Sequence, residues 1–429
     1  MKTYAGKNAL VLVAVLWLKV LLVAIVAVAA RNSRLDLKVR AVGTEELRCR
    51  WAGRAGLEKA AGILYEDTRE SDSLTDLWSD NDADLNDVLL EGCHFSVRVI
   101  DEASKLNVNT ATKEQLLQLP DMLEEIVDAI IDWRDTDDTV SGLGVEGGYY
   151  ETLPYPYKIR NGPLKTLREL LLVKGVTEQL FYGEDTNFNG QLDYNENDGD
   201  LSPPVDDEDG ELDLGWIDYL TCYSYDNNTD AEGSQKININ SASQTQMQDS
   251  LGISSSQAKW IVDNRSHSSI ANLINNNSSK EPSQGGNPDQ AQPIDIQTFC
   301  SIADKITVSS SQKTDGKVNI NTASEIVLAA LLGGGDAGMQ LAEQIIGYRE
   351  EQLYGMESIA DILQFEGMSV DTFKKIADSI TVRSNVYTIR SSATADRARG
   401  DGLTLMTEAV LDRTSTPYEI LYWYQGANN

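Results

Sequence analysis

Residues 9–30, ALVLVAVLWLKVLLVAIVAVAA, form an apolar run interrupted by a single charge, Lys19. As a helix, a run of this length spans the hydrocarbon core of a bilayer, so the start of the chain is committed to a membrane. A secretory signal would have a shorter apolar core with its small-residue cleavage site afterwards; here the small residue, Gly6, comes before the run, which reads as a retained anchor. Helical spacing continues beyond it. Leu57, Ala60, Ala61 and Leu64 recur at i, i+3, i+4 and i+7, with Arg54, Glu58 and Lys59 between them, so the anchor helix is expected to project from the bilayer. Charge is a poor guide to orientation: Lys2 and Lys7 before the run are outnumbered by Arg31, Arg34, Lys38 and Arg40 after it.

The rest of the chain needs more than one core, since it totals 429 residues of which 41% are hydrophobic. With 36 basic and 67 acidic residues, a net charge of -31 and a pI near 4.3, it has the opposite balance to a phosphate-binding surface, and nucleic acid is disfavoured as a partner. The histidines, His94 and His267, stand in no metal-ligand spacing, and no nucleophile, base and orienting partner are suggested by motif, so an enzyme is disfavoured too. Cys49, Cys93, Cys222 and Cys300 allow three pairings and no zinc spacing; outside the cytoplasm a Cys222–Cys300 bridge is one reading and unbridged thiols the other.

One phrase occurs three times: KLNVNTA from Lys105, KININSA from Lys236 and KVNINTA from Lys317. Each is followed by an amphipathic run, a break and a second helical run ending in a common pattern, Ile130 to Arg134, Ile261 to Arg265 and Ile345 to Arg349. The reading is three helix-hairpin-helix units, each opened by a strand end that turns into a helix cap. Thr322 with Glu325 and Ser241 with Gln244 have capping-box spacing. Trp133 and Tyr348, at matching positions, are expected in the core. The frames LKTLRELLLVKGV from Leu164 and ESIADILQFEGM from Glu357 suggest a further layer of related helices, and residues 275–293 a polar loop.

A separate signal lies at residues 185–196, DTNFNGQLDYNE, which fits the D-x-[DN]-x-[DN]-G-x5-E calcium loop at every fixed position. Asp185, Asn187 and Asn189 offer side-chain oxygens, Gly190 the sharp turn, Gln191 its carbonyl, Asp193 a direct or water-mediated contact and Glu196 a bidentate carboxylate. Hard oxygen ligands in that number select calcium. No lysine or arginine occurs between Lys174 and Lys236, and a second calcium site drawn from Asp198, Asp200, Asp206, Asp207, Asp209 and Asp213 is a further expectation.

Taken together these segments resemble the type IV pilin-like proteins, and within them the K-type minor pseudopilins of type II secretion. MKTYAG is similar to the leader cut by prepilin peptidase after Gly6, making Lys7 the first mature residue and the methylated one; Val11 stands where most pilins have Glu and the K type does not. RAGLEKAAGILYED from Arg54, FSVRVIDEASKLNVNTAT from Phe95 and the closing stretch from Tyr387 to Gln425 carry the rest. The resemblance implies an α+β fold: a long N-terminal helix and small antiparallel sheet with a large inserted α-helical domain of helix-hairpin-helix repeats. The expected divisions are a leader 1–6, a transmembrane part 7–30, a pilin-like helix and first strands 31–104, the insertion 105–382 with its acidic loop 184–213, and closing strands 383–429. It further implies a single-pass inner-membrane protein with its bulk in the periplasm. With I-type and J-type minor pseudopilins, the major pseudopilin, the inner-membrane secretion platform and prepilin peptidase as partners, it would initiate and cap the periplasmic pseudopilus; calcium binding also fits the family. The alternative is a membrane-anchored helix-hairpin-helix DNA receptor, since the repeats also resemble those of the competence receptors. The breaks, Leu119-Pro120-Asp121, Leu251-Gly252-Ile253 and Leu332-Gly333-Gly334-Gly335-Asp336, do not keep that module's full Gly-hydrophobic-Gly pattern, and two carry an aspartate.

Overall fold

The apolar run and the amphipathic run after it fold as one helix, α1 (Ala5–Glu66), 62 residues and therefore about 90 Å long. This computed structural model describes residues 5–68, 70–199, 201–274, 291–352, 354–365, 367–396 and 402–427; of the polar loop 275–293, residues 275–290 lie outside them. Among the described residues α1 is the one helix long and apolar enough to cross a membrane. Its far end packs on a five-stranded antiparallel sheet of β1 (Val88–Leu90), β2 (Cys93–Asp101), β3 (Val386–Ala395), β4 (Thr404–Asp412) and β5 (Glu419–Ala427), in that order. Leu57, Ala60, Ala61 and Leu64 meet Val99, Ile389, Ala409 and Leu411, as the helical spacing predicts. Two glycines let helix and sheet approach. A Cβ on Gly53 would lie 2.7 Å from Thr407 Oγ1, and one on Gly56 2.5 Å from Ser391 Oγ and 2.8 Å from Phe95 Cδ2.

Strands β2 and β3 are neighbours, with Asp101 opposite Tyr387, so the chain leaves the sheet at Asp101 and returns beside its own exit. Between those points lie three units of one design. Each repeated phrase enters a parallel two-residue ladder with a segment far downstream: Leu106–Asn107 with Leu220–Thr221, Ile237–Asn238 with Ile306–Thr307, and Val318–Asn319 with Ile380–Thr381. The closing [LI]-T pairs are therefore the second half of each repeat, a signal present in the sequence but too short to have a period.

The two asparagines of the phrase have distinct jobs. The first turns its Oδ1 to the backbone N–H two residues on, and its amide closes on the end of the unit: Asn107 Nδ2 donates to the Ser224 carbonyl and Asn238 Nδ2 to that of Ser309. The second imitates a strand. Asn109, Asn240 and Asn321 each donate to and accept from the backbone of one residue, Leu164, His267 and Met356 respectively, with every distance between 2.7 and 3.0 Å. An arginine completes each unit. Arg134 reaches the Val108 and Ala111 carbonyls, Arg265 that of Ala242, and Arg349 those of Ile320 and Ala323. Buried carbonyls left over by the tight turn after the phrase are thus satisfied from the second helix.

The helix pairs are α2 (Lys113–Leu116) with α3 (Glu124–Arg134), α4 (Gln244–Leu251) with α5 (Ser255–Asp263), and α6 (Glu325–Leu331) with α7 (Gly335–Glu351). Their breaks turn through left-handed backbone at Asp121, Gly252 and Gly333 to Gly335. The caps correct the sequence reading. Thr112, Ser243 and Ser324 cap these helices, two residues beyond the expected Ser241 and Thr322, because Asn238 and Asn319 first accept the N–H groups of the turn. Thr322 instead donates to Asp101. The further layer is present as single 3-10 turns, Leu167–Leu172, Ile270–Leu273 and Ile359–Gln364, one per unit. Trp133 is buried against Tyr150, and Tyr348 packs edge-on to Phe365. All four cysteines are thiols, with Cys49 and Cys93 Sγ atoms 3.9 Å apart between α1 and β2, and there is no Cys222–Cys300 bridge.

Candidate functional site

Where the sheet hands the chain to the units, two adjacent acids tie them together. Asp101, fully buried, accepts from the Ala103 N–H, Asn319 Nδ2, Thr322 Oγ1 and Ser384 Oγ, so the third unit is fastened to the exit point of β2. Burial pushes its carboxyl up to about 6 in spite of those donors. Glu102 accepts from Thr388 Oγ1 on β3 and from Thr221 Oγ1 of the first unit's closing ladder. Beside them Asp72 accepts from the Ser384 N–H, Tyr387 Oη and Arg413, which also pairs with Asp67 at 3.1 Å. Sequence reasoning passed over this junction. Its only local trace is the Asp-Glu pair between the strand and the first repeat.

The acidic stretch folds as a loop pinched at its base. Gly183 bridges Leu214, the Glu184 N–H donates to the Asp213 carbonyl, and Asp213 N–H returns to Glu184 Oε2. Backbones touch there: a Cβ on Gly183 would lie 2.4 Å from Asp213 O, and one on Gly215 2.3 Å from Gly183 N. The loop lies on the sheet face opposite α1. Phe188 stacks under the Arg390 guanidinium at 4.2 Å, and Arg98, Asn187, Asn189 and Gln191 line a cleft of about 670 Å³ with it.

Within the loop, the structure brings together the residues of the calcium pattern. Asp185 and Glu196, its first and last positions, are buried, and burial pushes both carboxyls up. Asp185 accepts from the N–H groups of Asn189 and Gly190, at left-handed φ of 70° for the glycine; Asn187 and Asn189 both donate to Asp193 Oδ2, and Gln191 N–H donates to Asn189 Oδ1. Glu196 Oε2 accepts from Asp193 N–H, while Glu196 Oε1 is buried with no hydrogen-bond partner. An orphaned carboxylate oxygen at the twelfth position is what a cation held by the loop would satisfy. The residues of the second expected site are arranged differently. Asp198 caps Ser202 and is joined to Asp206 through its N–H, Asp207 and Asp209 cap their own turns, Asp213 serves the loop base, and Asp200 lies outside the described residues. Gly6 and Lys7 fall within α1, and residues 1–4 lie outside the described residues.

Residues 94–182 and residues 318–383 each match a family model described as "Type II secretion system (T2SS), protein K". The first covers β2 and the opening of the first unit, the second nearly the whole third unit. A chain from the crystal structure of the GspK-GspI-GspJ complex of the enterotoxigenic Escherichia coli type 2 secretion system aligns over 91% of this chain and 99% of its own, at 14% identity and a TM-score of 0.48. No curated protein sequence matches. The two matched segments, which meet at the Asp101 junction, are similar to the type II secretion system protein K family.

Proposed function

We propose that this chain is a minor pseudopilin that, with I-type and J-type partners, initiates and caps the periplasmic pseudopilus of type II secretion. The observation that carries the reading is the family match on two segments of an insertion mounted on the sheet next to a membrane-length helix. Three units mounted at one end of the sheet add bulk that would block a further subunit from stacking beyond it, while α1 remains available to subunits below. Val11, apolar where a neighbouring subunit would supply Glu, needs no partner above it in the bilayer. In this reading the units are helix-hairpin-helix modules used as scaffold, residues 105–382 are the insertion and 383–429 close the sheet, and the bulk is periplasmic, with the major pseudopilin, the secretion platform and prepilin peptidase as further partners. The role is structural and not enzymatic.

The first test is the N-terminal mass of the chain after co-expression with a prepilin peptidase. Loss of residues 1–6 and a methylated Lys7 are expected, followed by co-purification with I-type and J-type proteins. An intact N-terminus together with salt-sensitive duplex DNA binding would favour the competence-type receptor instead.

We also infer that residues 185–196 hold calcium through Asp185, Asn187, Asn189, Gln191, Asp193 and Glu196, which rests on the buried, partnerless Glu196 Oε1. The ion would supply fixed positive charge to a loop with no basic residue of its own. Calcium in large excess over its dissociation constant should stabilise the full chain in detergent by about 3 kcal/mol. Glu196→Gln should remove that part of the gain in thermal melts. Equal melting of the parent with calcium and with chelator would sink the site.

A further inference from the structure

The seam between α1 and the sheet is built largely of small side chains. Cys49, Ala52, Gly53, Gly56 and Ala60 follow one another along the buried side of the helix, and Cys49 is the first buried residue met on α1 from residue 11 onward. Across the seam Cys93 opens β2, paired with Leu90 of β1 on one side and Ala395 of β3 on the other. Both cysteines are 0% exposed, and their Sγ atoms lie 3.9 Å apart although they are 44 residues apart in the chain.

Ala52, Phe95, Ala393, Ala395 and Leu405 cluster with the pair. A buried cysteine in such surroundings can serve simply as a small apolar residue. Here, however, the sulfurs meet each other across two different elements. A bond between them would also strand no polar group: Cys49 Sγ donates to the Leu403 carbonyl at 3.3 Å, but that carbonyl accepts from the Ala395 N–H at 3.0 Å as well. A disulfide holds its sulfurs about 2 Å apart, so closure asks each to move by about 1 Å, within reach of rotation about the two Cα–Cβ bonds. The other cysteines are placed differently. Cys222 and Cys300 are half-buried and unbridged, and burial pushes both thiols up, away from the reactive thiolate.

We propose that Cys49 and Cys93 are an oxidation site that closes into a disulfide and staples α1 to β2 where the helix leaves the sheet; closure in the cell rests on the periplasmic reading given above. The oxidant is a disulfide, either a small one or that of a thiol–disulfide oxidoreductase. One cysteine, as thiolate, attacks it, forming a mixed disulfide and expelling one thiolate; the second cysteine then attacks the mixed disulfide, forming the Cys49–Cys93 bond and expelling the other. The two S–H protons pass to the two leaving thiolates, and the oxidant's two sulfurs take up the two electrons. Since both sulfurs are fully buried, the first attack takes place before α1 docks on the sheet or in a local opening of the β1–β2 turn.

The test uses the full chain in detergent, reduced and then dialysed against mixed oxidised and reduced glutathione, quenched with acid and alkylated after denaturation. The expected product is two hydrogens lighter than the reduced chain, takes alkyl groups at Cys222 and Cys300 only, and yields a digest in which the peptides holding Cys49 and Cys93 are joined until reductant is added. The bridged chain should melt above the reduced one, and Cys49→Ala and Cys93→Ala should each abolish that difference. Four alkylated cysteines, glutathione retained on Cys49 or Cys93 without closure, or a bridged chain that melts lower would overturn the proposal; none of these needs a variant to fold. The same alkylation on acid-quenched cells separates the two readings. A bridge already present there supports both, whereas thiols in the cell that close only after purification count against the periplasmic location and leave the site standing.

Discussion

At the scale of single residues, the repeated phrase is explained by hydrogen bonds that no other side chain can make. Asn321 both donates to and accepts from Met356, at 2.9 and 2.8 Å, in a fully buried position. Asn321→Ala should cost about 2 to 4 kcal/mol in denaturant unfolding, because a backbone donor and acceptor are both left unmet. Asn321→Asp should not rescue it, having no donor for the Met356 carbonyl. Asp101 makes a pH-dependent contribution. Its folded carboxyl titrates near 6, above the ordinary 3.8, so the folded state binds the proton more tightly than the unfolded chain. The contribution is full below about pH 4 and is lost as pH rises through 6, amounting to about 3 kcal/mol. Asp67, also raised to about 6 by burial first and then by Asp72, titrates in the same direction. Unfolding of Asp101→Asn followed from pH 4 to 7.5 should show a shallower decline than the parent; identical slopes would count against the assignment.

At the scale of elements, α1 combines two kinds of glycine. Gly56 touches Ser391, Phe95 and Val97, whereas nothing lies within 4 Å of a Cβ on Gly62. Gly56→Leu should destabilise by about 2 kcal/mol or more through overpacking. Gly62→Ala should stabilise by up to ~1 kcal/mol from helix propensity alone. Opposite signs six residues apart, measured by chemical denaturation, test whether α1 packs on the sheet in this register. Much of this was legible beforehand, because helix 3.6-spacing at Leu57, Ala60, Ala61 and Leu64 is a local pattern. The [LI]-T ladders were not, since two residues carry no periodicity and their partners lie dozens of residues upstream. The caps were misplaced by two residues for a related reason: Thr322 has cap chemistry, but its hydroxyl is claimed by Asp101, a contact set by the fold and not by the neighbours in sequence. Likewise the twelve-residue pattern marks a contiguous segment, 185–196, whereas the approach of Asp132, Asp135 and Glu146 depends on how the chain folds back after α3, which no local pattern carries.

At the scale of the molecule, α1 and the loop grip opposite faces of one sheet. Arg390 on β3 stacks on Phe188 of the loop and pairs with Glu408 of β4 at 2.7 Å, so the loop is seated by the sheet's own charges. Arg390→Ala should loosen the loop without unfolding the sheet core. In hydrogen exchange with calcium present, faster exchange confined to residues 184–213 is the expected result. A global rise would mean instead that Arg390 supports the sheet as a whole. The insertion's geometry has a mechanical consequence as well. Because the chain exits at Asp101 and re-enters opposite it at Tyr387, tension applied through the three units acts on one end of the β2–β3 ladder and would open it like a zipper, one bond at a time, the weaker of the two ways to load a sheet. Asp101, Asn319, Thr322 and Ser384, with Asp72 and Arg413 alongside, cross that end of the seam, and so act as the rivets at the point where such a tear would start.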